Sequence, residues 1–278
     1  ALNPTPSASL TEDVVQRIRA VARQMGYSPN LSAFGLRTNR TMTVGILIPD
    51  ITNPIFPPIL RGIESVLDPL GYASLIVNTD NQNARERSLL ASLRGRGVDG
   101  IIHAGVLERD RSLSDDLLFG VPVVTVNRRV SAPVIPCVGN DDEQGIRSIL
   151  QHLIDLGHRH VVHLAGPISS STGHQRREAF LKEARAHDLS VGPGAVVEAA
   201  AYDEASGAQC ALAALRDLPE TTALLCANDR LAIGALRALG ERGLSCPDDI
   251  SITGFNDMPM MDLIPPGLTT IRIRSAEV

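Results

Sequence analysis

The chain has 278 residues, 44% of them hydrophobic and 21% charged, with a formal net charge of −5. At roughly 150 residues per domain it is too long for one ordinary core, which predicts two sizeable lobes plus an appendage. No apolar run approaches the roughly 18 residues of a membrane span, and the first residues, ALNPTPSASLTED, lack the basic start and apolar core of a signal peptide, so a cytoplasmic protein with no membrane partner is expected.

The charge is unevenly spread. Residues 1–40 hold five arginines against two carboxylates, a local +3, and the rest holds 21 basic against 29 acidic groups, −8. A basic arm on an acidic body suits a polyanion partner at one end. Within the arm, Thr11 to Met25 places Val14, Val15, Ile18, Val21, Ala22 and Met25 at helical spacing, with Ser9 or Thr11 as cap and Gly26 as stop. About three turns do not stand alone in water, so a preceding segment or a partner is expected to cover this face. Leu31 to Leu36 allows at most two turns, weakened by Gly35, and is expected to be ordered only when something holds it.

Thr43 to Val66 is the stretch around which the rest of the chain is organised. Val44, Ile46, Leu47 and Ile48 form a β-branched apolar run, as in a strand buried on both faces of a parallel sheet. Asn53 is the expected N-cap and Pro54 the expected first turn of a helix carrying Ile59, Ile63 and Val66. Strands at Tyr72–Val77, Val98–His103, Pro122–Val126 and Val134–Val138 then alternate with helices at Arg85–Leu93, Leu113–Phe119 and Asp141–Leu156. A second series comes next: strands His160–Leu164, Ala195–Glu198, Ala223–Cys226 and Ile250–Gly254, with helices Gln175–His187, Glu204–Leu215 and Arg230–Leu239, and a last strand at Leu268–Ile273. The fold class is α/β, two doubly wound parallel-sheet lobes with a cleft between them.

Catalytic and metal signatures are weak. Gly95-Arg-Gly97-Val-Asp-Gly100 matches GxGxxG, but it follows a helix and precedes a strand, the inverse of a dinucleotide fingerprint, and reads as a glycine-rich helix stop. His158, His160 and His163 do not converge, since strand side chains alternate. The cysteines, Cys137, Cys210, Cys226 and Cys246, show no ligand spacing and read as reduced core thiols. No GxSxG, Walker A or HExxH motif is present, so no enzyme, cofactor or metal is expected. The strand ends instead carry hydrogen-bonding residues: Asn53, Asn127-Arg128, Ser169 to Thr172, Asn228-Asp229 and Asn256-Asp257, with Arg176 one turn into the helix after the serine run. In open parallel sheets ligands bind outside the carboxyl ends of the strands. Amides and an arginine fork there suit a polyhydroxylated or carboxylated small molecule, with Phe56 and Tyr202 as apolar walls.

The stretches VVQRIRAVARQMGYSPN, LSAFGLR, TVGILIPDITNPIF, GVDGIIHAG, VPVVTVNRR, QHLIDLGHRHVVHLAGP, CANDRLAIGALRALGERGLSCPDDISITGFND and PPGLTTIR cover nearly the whole chain and, in this order, the chain resembles a LacI-type bacterial transcription repressor. The resemblance implies a periplasmic-binding-protein-like core with an effector in the cleft, and Arg176 and Asn228 match the family's ligand-binding positions; with the strand-end residues, the expected contacts of a sugar-like effector are Asn53, Phe56, Asn127, Arg128, Thr172, Arg176, Tyr202, Asn228 and Asn256. It also implies operator DNA as partner, contacted by Asn30, Leu36 and Arg37, with Leu36 as the minor-groove wedge of a hinge helix. The implied assembly is a homodimer, with a tetramer left open. Implied domains are residues 1–29, the remnant of a helix-turn-helix headpiece; 30–41, hinge and linker; 42–157 plus 273–278, the N-terminal lobe; and 158–272, the C-terminal lobe. The sequence departs from the family pattern at Phe34 and Gly35, which stand where an arginine and a small polar residue are usual, and at Asn256, which replaces an aspartate. A periplasmic sugar-binding protein shares the core and is the alternative, but it has no use for the amphipathic helix and hinge.

Overall fold

Strand β1 (Thr43–Ile48) is flanked on both sides, which is why its sequence is a continuous apolar run: Ile46, Leu47 and Ile48 are at most 1% exposed. This computed structural model describes residues 11–27, 40–109, 113, 120–131, 135–263, 265, 267–275 and 277. In the first sheet β1 pairs in parallel with β2 (Ala73–Asn78) and with β3 (Gly100–His103), followed by β4 (Val123–Val126) and β5 (Cys137–Val138), in the order β2-β1-β3-β4-β5. The second sheet is β7-β6-β8-β9, with β6 at Val161–Ala165, β7 at Val196–Glu198, β8 at Ala223–Cys226 and β9 at Ser251–Thr253, again all parallel. The α/β reading with two parallel sheets therefore holds.

Helices α1 (Glu12–Gln24), α2 (Phe56–Leu67), α3 (Asn83–Gly95), α4 (Asp142–Asp155), α5 (Ser171–Ala186), α6 (Glu204–Asp217) and α7 (Asp229–Gly240) fall close to the predicted positions. Two starts differ. Asn53 does not cap α2: its side-chain oxygen accepts from the Ile55 amide at 3.2 Å and its carbonyl from the Phe56 amide at 3.1 Å, a turn that delays the helix to Phe56. Helix α5 begins at Ser171 rather than Gln175, because the Ser170 hydroxyl accepts from the Gly173 amide and caps it. At the other end of the chain, the expected strand Leu268–Ile273 is reduced to isolated bridges, Thr253 to Thr269 and Asn256 to Arg272. The expected helix Leu113–Phe119 and the hinge Leu31–Leu36, with Asn30, Leu36 and Arg37, lie outside the described residues except Leu113.

Helix α4, expected with the first lobe, packs instead on α5 and against β8. Its Ile146, Ile149, Leu150 and Leu153 are buried in a core that joins Val161 and Leu225 of the second sheet and Phe180 of α5 to Ile46 and Ile48 of β1 and Ile59 of α2. Helix α1 keeps one buried residue, Ala22, while Val14, Ile18, Val21 and Met25 are open to solvent. The link from this arm is pinned at the foot of the first sheet. Asp99, just before β3, accepts from the Thr41 and Met42 amides at 2.8 and 3.1 Å, and Thr41 donates its hydroxyl to the Gly97 carbonyl. The glycines of the GxGxxG match thus close α3 and lead into β3.

Helices α6 and α7 meet backbone to backbone through Gly207 and Gly234. A Cβ on Gly234 would lie 2.0 Å from the Glu204 carbonyl oxygen, and one on Gly207 would lie 2.2 Å from that of Leu231. Alanine at position 234 gains about 1 kcal/mol of helix propensity, yet the contact is with backbone that has nowhere to go. Gly234→Ala should therefore lower unfolding free energy by about 1–3 kcal/mol in urea titrations; an unchanged or higher value would contradict this packing.

His163 in β6 is fully buried, stacked on Phe180 with ring centroids 5.1 Å apart, and its Nδ1 lies 2.8 Å from the Leu225 carbonyl. Burial pushes its pKa down to about 4. The unfolded chain binds the proton near pH 6.5 and the folded chain does not, so stability present at neutral pH is lost as pH falls from 6.5 towards 4, by about 3 kcal/mol. Asp229, whose pKa burial raises to about 6, opposes this slope in the same window, so denaturation at stepped pH should show the histidine's share as a difference of about 3 kcal/mol between the parent and His163→Phe.

Candidate functional site

Many of the buried polar side chains lie where the strands of both sheets end. From the first sheet, the turn after β1 supplies Asn53, and Phe56 follows as the first residue of α2, only 2% exposed. Asp50, beside them, folds the turn by accepting from the Thr52 amide and hydroxyl at 2.9 and 2.6 Å. After β4, Asn127 adopts φ = 64°, a left-handed conformation Asn tolerates better than most residues, and Arg128 follows it inward, 8% exposed.

From the second sheet, the turn after β6 leads to Ser170 and Thr172 at the start of α5. The Tyr202 hydroxyl, beyond β7, lies 3.1 Å from Thr172 Oγ1 and 3.4 Å from Ser170 Oγ. Arg176 is one turn further and 3% exposed. Its Nε donates to Asp142 Oδ1 at 2.8 Å, its Nη1 to the Ala227 carbonyl, and its plane lies 3.7 Å over the Phe255 ring. After β8, Asn228 caps α7, its Oδ1 accepting from the Leu231 amide at 2.9 Å. After β9, Asn256 is buried with φ = 120°.

All nine effector-site residues expected from the sequence, Asn53, Phe56, Asn127, Arg128, Thr172, Arg176, Tyr202, Asn228 and Asn256, surround one cavity of about 30 Å³, with Ile55 as a tenth wall. Arg128 Nε, Asn127 Oδ1 and Asn256 Oδ1 are buried there with no hydrogen-bond partner among the described residues. Sharing Asn53, Arg128 and Tyr202 with this cavity is a cleft of about 340 Å³, bordered also by Asp50, Asp203 and Arg230. That volume is on the scale of small-ligand sites.

Sequence reasoning missed Arg230 and Asp142. Arg230 on α7 is held by Glu204 at 2.7 and 2.8 Å and reaches across the cleft to Asp50 at 3.1 Å. Burial pushes the Asp50 carboxyl up, but the Thr52 hydrogen bonds and then Arg230 outweigh it and hold the pKa below its usual value. Further contacts cross between the sheets' loops: Ser171 Oγ accepts from the Arg129 amide at 2.8 Å, the Ser169 carbonyl from the Glu108 amide at 2.9 Å, and Glu108 meets His174 Nδ1 at 2.6 Å. Only Arg230's place beside the Asn228-Asp229 strand end hinted at its role. Asp142, 34 positions from Arg176, gave no local signal.

Asp229, next to the Asn228 cap, faces away from the cavity. Its Oδ2 accepts from the Met258 amide and its Oδ1 from the Thr270 hydroxyl, and burial raises its pKa to about 6. Of the histidines, His158 Nδ1 pairs with Thr222 Oγ1 at 2.9 Å while His163 lies in the core. Among the described residues no three His, Cys, Asp or Glu side chains are grouped to hold a metal, and no helix is long and apolar enough to cross a membrane.

Comparison with known proteins extends this geometry. Catabolite control protein A of Priestia megaterium is 30% identical over 270 residues, covering 97% of this chain and 80% of that protein. A LacI-family transcriptional regulatory protein from Corynebacterium glutamicum is 33% identical, with a TM-score of 0.71 over 85% of each chain. The lac repressor dimer bound to operator and the anti-inducer ONPF shares the fold, with a TM-score of 0.84 over 97% of this chain and 81% of that one at 24% identity. Residues 41–272, which hold both sheets and every cavity residue, match the profile described as periplasmic binding proteins and sugar binding domain of LacI family, and the chain belongs to that family.

Proposed function

We propose that this chain is the effector-sensing body of a DNA-binding transcriptional repressor, cytoplasmic, homodimeric and without an enzymatic reaction of its own. The observation that carries the reading is the cavity together with the cleft of about 340 Å³ that shares Asn53, Arg128 and Tyr202 with it: nine polar and aromatic residues from the strand ends of two sheets face this space, so a small molecule seated across it contacts both lobes at once. The amides of Asn53, Asn127, Asn228 and Asn256 and the forks of Arg128 and Arg176 suit ring hydroxyls, with Phe56 and Tyr202 as walls. No nucleophile, paired carboxylates or metal cluster stands among these residues, which supports binding rather than catalysis. The similar proteins include a LacI-family transcriptional regulatory protein, and the match to catabolite control protein A spans 97% of this chain. That favours a repressor over a transporter's periplasmic binding protein, as does the open apolar face of α1.

In this reading the lobes are residues 42–157 with 273–278 and residues 158–272, with α4 packed across to the second. Residues 1–29 belong to the headpiece and 30–41 to the hinge, with Asn30, Leu36 and Arg37 on DNA. A ligand that touches both lobes favours one interlobe angle over another. Strand β1 runs from the cavity to the clamp of Asp99 on Thr41 and Met42, so a rotation of the first sheet is delivered to the hinge.

The test uses the protein expressed from its complete gene and a duplex selected from random DNA. A saturating ligand, found by thermal-shift screening, should change operator affinity about 5–150-fold; unchanged affinity would overturn the mechanism. The Arg230–Asp50 bridge should bias the free protein towards the closed cleft. It is partly exposed, so Asp50→Ala should cost about 0.2–1 kcal/mol of that bias, seen as a larger apo radius of gyration in X-ray scattering and ligand affinity lowered up to about fivefold. Scattering curves that superimpose would remove the bridge from the mechanism.

A further inference from the structure

Three guanidinium groups border the cavity and cleft, and they are not equivalent. Arg176 is neutralised by Asp142, and Arg230 by Glu204 and Asp50. Arg128 is the exception. It is 8% exposed, and among the described residues no carboxylate lies within ion-pair distance of it. Among the described residues its guanidinium makes one hydrogen bond, to the Gly105 carbonyl at 3.4 Å, and its Nε is buried without a partner; the Tyr202 ring centroid is 5.8 Å away. Glu86 acts on it only at longer range and sits 3.4 Å from His103. A buried cation left this way is costly unless something compensates it.

No carboxylate lines the cavity. Asp50 and Asp203 border the adjoining cleft, but Asp50 is committed to Arg230 and Thr52, and Asp203 caps α6 by accepting from the Ser206 amide at 2.7 Å. Helices α2, α5 and α7 each run at least 12 residues and begin at the cavity, at Phe56, at Ser171 and behind the Asn228 cap. Their N-terminal ends add positive potential to that of the arginine.

Resting on the reading of this cavity as a small-molecule site, we propose that the ligand carries an oxyanion, a carboxylate or a phosphate, seated on the Arg128 guanidinium. The neutral part of the molecule extends towards Tyr202 and the asparagines. The ligand class is thus sugar acids or sugar phosphates rather than neutral sugars. The planar fork takes an oxyanion in two parallel hydrogen bonds, one through the Nε that the protein leaves unmatched.

The test is thermal and calorimetric titration of the protein with matched probes: glucose against gluconate and glucose 6-phosphate, ribose against ribose 5-phosphate, and inorganic phosphate alone. At least one anionic probe should raise the melting midpoint and bind at least tenfold tighter than its neutral counterpart. Arg128→Met should lose at least tenfold of that affinity while melting no lower than the parent without ligand, since it removes an uncompensated buried charge. Arg128→Lys keeps the charge without the fork and should fall between the two, which covers the case of a poorly folded methionine variant. Neutral sugars binding as tightly as their anionic partners, or anion affinity surviving Arg128→Met within twofold, would overturn the anion assignment and leave the sugar-site reading standing. Binding by none of the probes would remove both.

Discussion

A parallel sheet covered by helices on both faces can expose polar chemistry only at its ends. Backbone groups inside the sheets pair with one another and the strand interiors are mostly apolar, so side chains that must meet a solute are displaced to the loops where strands stop. Two such sheets face each other here by their carboxyl ends, and the loops that follow β1, β4, β6, β7, β8 and β9 converge. The cavity is therefore a consequence of topology before it is a consequence of any one residue. What individual residues decide is its charge and its state of closure.

Charge is decided by the pairing of arginines. Asp142, at the start of α4, lies behind Arg176 and holds it flat against Phe255, so this guanidinium is fixed in orientation and carries little net field. Closure is decided by a longer chain of causes. Gly207 and Gly234 let α6 and α7 approach until Glu204 and Arg230 share a two-point ion pair. Arg230 is thereby held at the cleft mouth, where its free edge meets Asp50 on the other sheet. A glycine contact deep between two helices thus sets the reach of a charged group at the surface.

Much of this was legible in the sequence, for identifiable reasons. Continuous apolar runs such as Val44 to Ile48 announce strands buried on both faces, and polar residues directly after them announce the strand ends, so the nine cavity residues could be named before their contacts were known. Helix starts were less legible. At Asn53 and Ser170 two competing turn chemistries, a turn closed by the side chain and a helix cap, use the same residue types, and only backbone geometry chooses between them. The packing of α4 against the second sheet and the Asp142 to Arg176 pair were not legible at all, since both depend on which sheet a connecting helix lies over and no local pattern records that. The bridging role of Arg230 was hidden for the same reason: Asp50 is 180 positions away.

The loops that carry the cavity residues are separated in sequence but not one of their side chains is needed to complete either sheet. Substitution at positions such as Thr172 or Tyr202 alters the chemistry of the cavity while the strand ladders behind them keep their pairing. Selection can therefore act on recognition and on folding nearly independently, and a gene copy of this chain could acquire a new solute through a handful of codon changes at strand ends, with the apparatus that reports occupancy inherited intact.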